Sequence, residues 1–203
     1  MECITFEADA RILREATENP NRPFMVQGVL QRKGKKNQNG RIYPDDILIR
    51  EANKYASTFI QDHRAMGELD HPESSVVNLK NVSHTVTEMH WQGDDLIGTV
   101  EILTTPNGNI LRELFRNGIK LGISSRGLGT LKKVSESVAM VGDDFELIAF
   151  DFVSNPSTQG AFMAPMGQGR GQIPLAEGIV QNPVSHRWER TDDIVRNILS
   201  EIG

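Results

Sequence analysis

Cysteine is nearly absent from this sequence, with Cys3 the only one among 203 residues. A disulfide within the chain is therefore impossible, and zinc sites built from paired cysteines are excluded. The histidines show no HExxH spacing, and the glycines form neither a GxxxxGKS/T phosphate loop nor a GxGxxG motif after a strand. We therefore predict no metal and no cofactor, and any chemistry is expected to use amino-acid side chains alone.

Charge of one sign and long apolar runs are also lacking. The 22 basic and 27 acidic residues nearly balance, and no long basic block is present, which argues against nucleic acid as a partner. No apolar run approaches the ~20 residues that a membrane span needs. The first 21 residues are acidic and helix-like rather than typical of a signal peptide. These features predict a protein of a reducing cytoplasm.

Short alternating segments with turn signals between them make up most of the remaining chain. They predict strands over 24–31, 81–91, 96–103, 130–134, 137–141 and 145–153, and helices over about 44–63 and 107–115. The fold class expected is α+β, mainly an antiparallel sheet or small barrel with a few helices. The predicted domain covers residues 22–165, between an N-terminal arm (1–21) and a flexible, Gly-rich C-terminal tail (166–203).

Three motifs contain residue types suited to acyl transfer. Residues 122–129 read GISSRGLG, which we interpret as a Gly-rich turn carrying two serines. Residues 67–72 read GELDHP and contain His71, and residues 150–157 read FDFVSNPS and contain Asp151. A serine hydroxyl becomes a good nucleophile when an imidazole takes its proton, and the imidazole needs an acceptor on its other nitrogen. Ser124, His71 and Asp151 can fill these three roles.

Alternatives remain open for each role at this level. Ser125 is the alternative nucleophile, and His84 or Asp70 can replace Asp151 as the group that orients the imidazole. Backbone N–H groups of the Gly-rich exit can supply oxyanion donors worth ~3 kcal/mol each. The candidate donors, which can also contact substrate, are Ser125, Arg126 and Gly127.

These motifs, together with residues 39–44 (NGRIYP) and 89–94 (MHWQGD), resemble the prohead core proteases of T-even-type tailed bacteriophages. The similarity covers about residues 25–165. It implies a fold similar to that of herpesvirus assemblin and a serine endopeptidase with His71 as base and Ser124 as nucleophile. The third group stays open, since assemblins use a second histidine, here His84, whereas the acid before the Pro-Ser corner is Asp151.

The resemblance also implies substrates and a place of action. Family members cut scaffold or core proteins and the major capsid protein inside the prohead that assembles in the host cytoplasm. They cut after glutamate in a Leu/Ile-x-Glu context, before Ala or Gly. A substrate glutamate needs a cation, for which Arg126 ranks first and the basic-loop residues Lys35, Lys36 and Arg41 follow. The other interpretation of Arg126 is a structural arginine that bonds local carbonyls.

The sequence itself contains three matches to this cleavage context. Two of them, Glu15–Ala16 and Glu177–Gly178, lie in the predicted arm and tail, where proteolysis is favoured. We predict self-cleavage there, with removal of both segments, so that the protein matures from a zymogen. The third match, Glu51–Ala52, lies in a predicted helix and needs unfolding to be cut.

Two other functions are compatible with the motifs. One is an assembly protein that keeps a protease-like fold without activity, against which the complete serine, histidine and aspartate set argues. The other is a cytosolic ester hydrolase that uses the same triad and needs no extended peptide groove. The oligomeric state stays open, with a homo-oligomer as one alternative.

Overall fold

Ten strands, two α-helices and a π-helical turn form residues 23–166, the part of the chain that the computed structural model describes. In chain order they are β1 (Phe24–Arg32), β2 (Arg41–Ile42), α1 (Asp45–Tyr55), the π-helical turn (Ala56–Ile60), β3 (Met66–Glu68), β4 (Val82–Gln92), β5 (Asp95–Ile102), α2 (Pro106–Arg116), β6 (Gly122–Leu128), β7 (Leu131–Ser135), β8 (Val138–Val141), β9 (Glu146–Val153) and β10 (Met163–Pro165).

Seven of the strands form a closed ring. β10, β1, β5, β4 and β3 lie side by side, each antiparallel to its neighbours, and β6 pairs antiparallel with β9. Isolated bridges join Leu69, just after β3, to Phe152 of β9, and Phe162, just before β10, to Gly122 of β6. The two sheets therefore meet at both ends in a small barrel, and the prediction of a mainly antiparallel α+β fold is confirmed.

Helix α1 packs its apolar face against the sheet. Leu48, Ala52 and Tyr55 are buried at the helical spacing that the sequence predicts. The Tyr55 ring meets Phe150 of β9 edge to face, with the ring centroids 5.5 Å apart. Each large apolar side chain buried in this way contributes roughly 1.5–3 kcal/mol. Strand β9, which contains Asp151, is therefore held firmly against the helix.

Helix α2 begins slightly earlier than its sequence suggests. The sequence predicts a helix over 107–115, whereas Thr105 is the N-cap, and its Oγ1 accepts a hydrogen bond of 3.1 Å from the Gly108 N–H. Pro106 then occupies the first helical position, where its missing N–H costs nothing. The helix ends at Arg116, close to the predicted bound.

The segment 122–128 is a strand and not the turn that its glycines predict. Gly122 and Gly127 lie within β6, and neither adopts a left-handed φ. A Cβ atom built on Gly122 would lie 2.4 Å from Pro156 Cγ, and one on Gly127 would lie 2.4 Å from the Phe145 ring. These glycines therefore allow close packing on the strand face, a role that local sequence does not distinguish from turn formation.

A second, three-stranded sheet contains β2, β8 and β7 in that order. β2 pairs parallel with β8, so that Arg41 lies opposite Ala139, and β8 forms a hairpin with β7. The segment that follows the basic loop is β2, and its pairing with β8 holds it in this sheet. The loop is thereby placed beside the motifs described below.

Several predictions fall on residues that the structure does not describe. They are the arm (1–21), the tail beyond Met166, and the cleavage positions Glu15, Ala16, Glu177 and Gly178. Among the helices of residues 23–166, none has the length and apolar character that a membrane span requires.

Candidate active site

The pairing of β6 with β9 places Ser124 directly opposite Asp151. Residues directly opposite each other in an antiparallel pair point to the same face of the sheet. Ser125 is the next residue in β6 and therefore points to the other face. Its Oγ accepts a hydrogen bond of 2.7 Å from Gln31 Nε2. Strand geometry thus favours Ser124 over Ser125 as the serine that acts with Asp151.

His71 reaches the same face through a tight turn after β3. The Asp70 N–H donates to the Phe152 carbonyl of β9 at 2.9 Å, and Asp70 itself adopts a left-handed φ of 68°. The Asp70 carboxylate accepts the backbone N–H of His71 at 2.9 Å, so this acid shapes the turn. The turn brings His71 Nδ1 to 3.0 Å from Asp151 Oδ2.

The Asp151 carboxylate is surrounded by donors. Its Oδ1 accepts hydrogen bonds from the Glu68 backbone N–H at 3.0 Å and from Arg126 Nη2 at 3.1 Å. Its Oδ2 lies 2.9 Å from Arg126 Nε and 3.0 Å from His71 Nδ1, but neither N–H points at this oxygen well enough to make a hydrogen bond. Catalytic contacts of this kind commonly tighten only when substrate binds.

The Arg126 side chain is buried in this cluster and not in a substrate pocket. Only 5% of the side chain is exposed, and Nη2 pairs with Glu68 Oε1 at 2.9 Å while Nη1 donates to the Ser74 carbonyl at 2.7 Å. The guanidinium thus faces the buried carboxylates of Glu68 and Asp151, and little of it is open to a substrate carboxylate. This geometry argues against Arg126 as the group that binds the substrate glutamate and favours the structural interpretation of the arginine.

His84 occupies a different environment from His71. Its ring is fully buried, with Nδ1 2.9 Å from Ser83 Oγ and Nε2 2.9 Å from the Phe150 carbonyl. Since a carbonyl only accepts, Nε2 carries the proton and Nδ1 accepts from the hydroxyl. Burial lowers the pKa of His84 to about 4, against opposing effects of the Phe150 carbonyl and Asp151. Both nitrogens are used elsewhere, so this geometry favours Asp151 over His84 as the partner of His71.

A cleft of about 160 Å³ opens at this face. Ser124 and His71 both line it, so the candidate nucleophile and base share one cavity. The Ser124 hydroxyl makes a side-chain hydrogen bond of 3.1 Å with Ser157 Oγ. The remaining lining residues come from the basic loop, β2 and the residue after it, β6, the end of β9 and the corner that follows: Asn39, Arg41, Tyr43, Ser125, Val153, Asn155 and Ser157.

The direction of the N–H groups in β6 separates the candidate oxyanion donors. N–H groups of successive residues in an antiparallel strand point alternately toward and away from the partner. The Ile123 N–H donates to the Ala161 carbonyl at 2.9 Å, away from β9, so the Ser125 N–H also points away from β9. The Arg126 N–H points toward β9 and is not available. Gly127 lies three residues from Ser124, ~10 Å along the strand, and is too far away.

The basic loop is ordered against the cleft rather than merely solvated. Asn37 Oδ1 accepts the N–H groups of Asn39 and Arg41, at 3.0 and 2.9 Å, and the Gln38 N–H donates to the Ser157 carbonyl at 2.8 Å. Lys35 lies 3.4 Å from Asp94. Arg41, by contrast, is exposed beside the cleft and has no carboxylate partner within residues 23–166.

Sequence reasoning missed three polar residues of the site. Glu68 pairs with Arg126, Gln31 bonds Ser125, and Ser157 bonds Ser124. Glu68 and Ser157 lie inside the motifs that contain His71 and Asp151, so their position was a usable signal. Gln31 ends an otherwise alternating strand and has no signal of its own. Residues 23–166 bring together no group of three or more metal-ligating side chains.

Comparison with known proteins identifies the family of this chain. The family model described as prohead core protein serine protease matches residues 11–171. The prohead core protein protease of Enterobacteria phage T4 is 30% identical over 143 residues, which cover 69% of this chain and 68% of that protein.

Solved structures give the same relationship. The structure of the bacteriophage T4 capsid assembly protease superimposes with a TM-score of 0.62 and 29% sequence identity, covering 65% of this chain and 82% of that one. The sequence match and the structural match thus agree on one family. The chain belongs to the prohead core protein serine proteases.

Proposed function

We propose that this protein is a serine endopeptidase that cuts scaffold or core proteins and the major capsid protein during prohead maturation. The observation that carries the proposal is the meeting of Ser124 and His71 in one cleft, with His71 Nδ1 3.0 Å from the buried carboxylate of Asp151. The T4 relatives are named for the prohead core and for capsid assembly, which supports the substrate class and a site of action inside the prohead.

The reaction begins at the Ser124 hydroxyl. In the resting protein it faces Ser157, and it turns toward His71 Nε2 when substrate enters. His71 takes the proton as Ser124 Oγ bonds to the substrate carbonyl carbon, and the carbonyl π electrons move to oxygen. Collapse breaks the C–N bond, and His71 returns the proton to the leaving amine. Water then releases the acyl group by the same route.

Asp151 supports the imidazole through charge and position. Its carboxylate faces Nδ1, so the ring keeps its proton on that nitrogen and offers Nε2 to the serine. The pairing with Arg126 holds the carboxylate in place although it is fully buried. The developing imidazolium is therefore formed beside a fixed negative charge.

Arg41 is the cation that we propose for the substrate glutamate. Its backbone is held by Asn37, and its exposed side chain lies at the same cleft as Ser124. Two other candidates are less suitable, since Arg126 is buried in its own ion pairs and Lys35 is engaged by Asp94. A guanidinium recognises a carboxylate with paired donors, which supports cleavage after glutamate.

Self-cleavage after Glu15 and Glu177 belongs to the same proposal. The third match, at Glu51, is not expected to compete with the two terminal matches, because Glu51 lies within α1 and is only 3% exposed. Its Oε2 accepts the Leu147 N–H at 3.2 Å, so the helix must unfold before a protease can bind there. The two terminal matches lie outside α1, so their cleavage does not require this helix to unfold.

The direct test compares purified wild-type protein with a Ser124→Ala variant. Each is incubated with a peptide of residues 9–20 of this chain, which contains the Leu13-Arg14-Glu15-Ala16 match, and the products are identified by mass spectrometry. Cleavage after glutamate by the wild type, and a loss of about 10⁶ in turnover for Ser124→Ala, are expected. Ser125→Ala is the comparison variant and should leave some activity, because the Ser125 side chain points to the other face of β6.

Two results would contradict the proposal. A wild-type protein that leaves this peptide and its own chain intact, while folded, would support an inactive assembly protein. Hydrolysis of small esters without any peptide cleavage would support the ester hydrolase instead.

A further inference from the structure

Ser157 is the polar side chain that contacts the candidate nucleophile. Its Oγ lies 3.1 Å from Ser124 Oγ, and both residues line the same cleft. Ser157 is the last residue of the motif FDFVSNPS, which also contains Asp151. A second hydroxyl next to the reacting oxygen has no role in the steps described above.

The segment that contains Ser157 follows the outer edge of β6. Four residues later, Ala161 accepts the Ile123 N–H at 2.9 Å, and Phe162 bridges to Gly122. The segment that begins at Ser157 therefore leads to the edge of β6 that is opposite to β9. This is also the side toward which the Ser125 N–H points, as the alternation along β6 requires.

A buried amide ties these two groups together. Gln31 is 1% exposed, and its Nε2 donates to Ser125 Oγ at 2.7 Å while its Oε1 accepts Thr158 Oγ1 at 2.5 Å. The Ser157 carbonyl also accepts the Gln38 N–H at 2.8 Å. The residue after the nucleophile and the segment with the second hydroxyl are thus held at a fixed separation.

We propose that the Ser157 hydroxyl is a further catalytic group, which donates a hydrogen bond to the oxyanion beside the Ser125 N–H. The proposal rests on the serine peptidase function above. When Ser124 Oγ bonds to the carbonyl carbon, it loses its proton to His71 and becomes an ester-like oxygen. The negative charge forms on the carbonyl oxygen, which is bonded to the same carbon atom as Ser124 Oγ. The Ser157 O–H then rotates about its Cβ–Oγ bond, so that it points at the oxyanion and no longer at Ser124 Oγ.

This assignment explains why two hydroxyl groups face each other in a resting active site. The Ser157 hydroxyl keeps a partner before substrate arrives and needs only a rotation to meet the new charge. No proton leaves Ser157, so the proton count of the reaction is unchanged. A donor on a segment that a buried amide holds through the next residue is preorganised, which is what makes an oxyanion contact effective.

The test measures kcat and KM for the residue 9–20 peptide with wild type, Ser157→Ala and Ser154→Ala. Ser154 is an exposed serine at the same corner and is the matched control. We expect kcat to fall about 10²–10³-fold for Ser157→Ala, with KM little changed, and Ser154→Ala to match the wild type. A peptide whose C-terminal glutamate is replaced by the corresponding aldehyde forms a tetrahedral adduct with Ser124. The oxygen of this adduct occupies the oxyanion position, so the inhibitor should bind Ser157→Ala more weakly by a similar factor.

A pair of isosteric variants keeps the proposal testable if Ser157→Ala unfolds. Ser157→Thr retains the hydroxyl and should keep most of the activity, whereas Ser157→Val has the same shape without it and should not. Equal kcat values for the Thr and Val variants, or a Ser157→Ala kcat within threefold of wild type, would overturn the role of Ser157. In either case, cleavage by the wild type would leave the peptidase proposal standing, and its absence would overturn both.

Discussion

Asp151 is the residue on which three others converge in the candidate active site. His71 faces one carboxylate oxygen, Arg126 contacts both, and the Glu68 N–H donates to the other. A fully buried carboxylate is costly unless it is paired, so these contacts hold both its charge and its position. The arrangement makes Asp151, rather than a second histidine, the group expected to orient the base.

Replacement of the two competing residues should separate their roles. Asp151→Asn is expected to lower kcat by about 10⁴, because the amide no longer fixes the correct imidazole tautomer. His84→Asn should leave the activity per folded molecule within a few fold, since His84 bonds Ser83 and Phe150. Both are measured with the residue 9–20 peptide, on protein checked for folding by circular dichroism. The reverse order of effects would identify His84 as the orienting group.

The buried His84 predicts a pH dependence of stability. Its pKa is about 4 in the folded protein and about 6.5 in the unfolded chain, so the unfolded chain binds more protons between these values. Stability is therefore complete above pH 6.5 and falls as pH decreases toward 4, by about 3 kcal/mol from this residue.

Urea unfolding at pH 7, 5.5 and 4.5 measures this dependence, with His84→Asn as the control. The slope between pH 6.5 and 4 should be smaller in the variant than in the wild type. Identical slopes would mean that other groups cause any acid sensitivity in this interval.

Arg41 should decide the preference for an acid at the cleavage position. Arg41→Gln is expected to lower kcat/KM for a glutamate peptide by about 10- to 100-fold, since a charged hydrogen bond is worth about 1.5–3 kcal/mol. The same peptide with glutamine in place of glutamate should be little affected by the substitution. Lys36→Gln is the matched control, because Lys36 belongs to the same loop and lines a separate pocket. If Arg41→Gln lowers both peptides equally, the arginine has a structural role.

At the scale of elements, a buried ion cluster connects β3, β6 and β9. Glu68 ends β3, Arg126 lies in β6 and Asp151 in β9, and the guanidinium bonds to both acids. Arg126 and Glu68 also hold the loop that follows His71, through the Ser74 carbonyl and the Asn78 N–H. The strands and the loop therefore depend on one charge network for their relative position.

Removal of the central cation should destabilise the barrel strongly. Arg126→Met leaves two buried carboxylates without their cation, and we expect a loss of about 3–5 kcal/mol in the free energy of unfolding. Arg64→Met is the matched control, because the Arg64–Asp62 pair at 3.0 Å is exposed and should contribute no more than about 1 kcal/mol. Urea denaturation of both variants measures the difference. Similar losses for the two would show that the cluster adds nothing beyond a surface ion pair.

At the scale of the whole molecule, processing should separate the described domain from its two ends. Incubated wild-type protein is expected to lose residues 1–15 and 178–203, while Glu51–Ala52 stays intact as long as α1 is folded. Terminal sequencing and intact mass follow the products with time. A Glu177→Gln variant should keep its C-terminal tail, because Arg41 has no carboxylate to bind there. An active enzyme that leaves both terminal matches whole for hours would contradict the prediction.

Local pattern alone was sufficient to predict most elements and the fold class. The spacing of Leu48, Ala52 and Tyr55 predicts the buried face of α1, and the alternation after Asn81 predicts β4 and β5, because these periods follow from the geometry of each element. The pattern did not predict β6 as a strand. Its glycines match a turn equally well, and only the neighbours Pro156 and Phe145 reveal why they are needed.

For the candidate site too, some features follow from the sequence and others from the tertiary structure. The sequence by itself determined that a serine, a histidine and an aspartate occur in motifs of one family, since residue types and spacing are local properties. Only the tertiary structure decided that Ser124 faces Asp151 while Ser125 faces Gln31, and that Arg126 is buried while Arg41 reaches the cleft. The physical reason is that a charge or hydroxyl acquires its role from partners far away in the chain, through strand register and burial that no local pattern encodes.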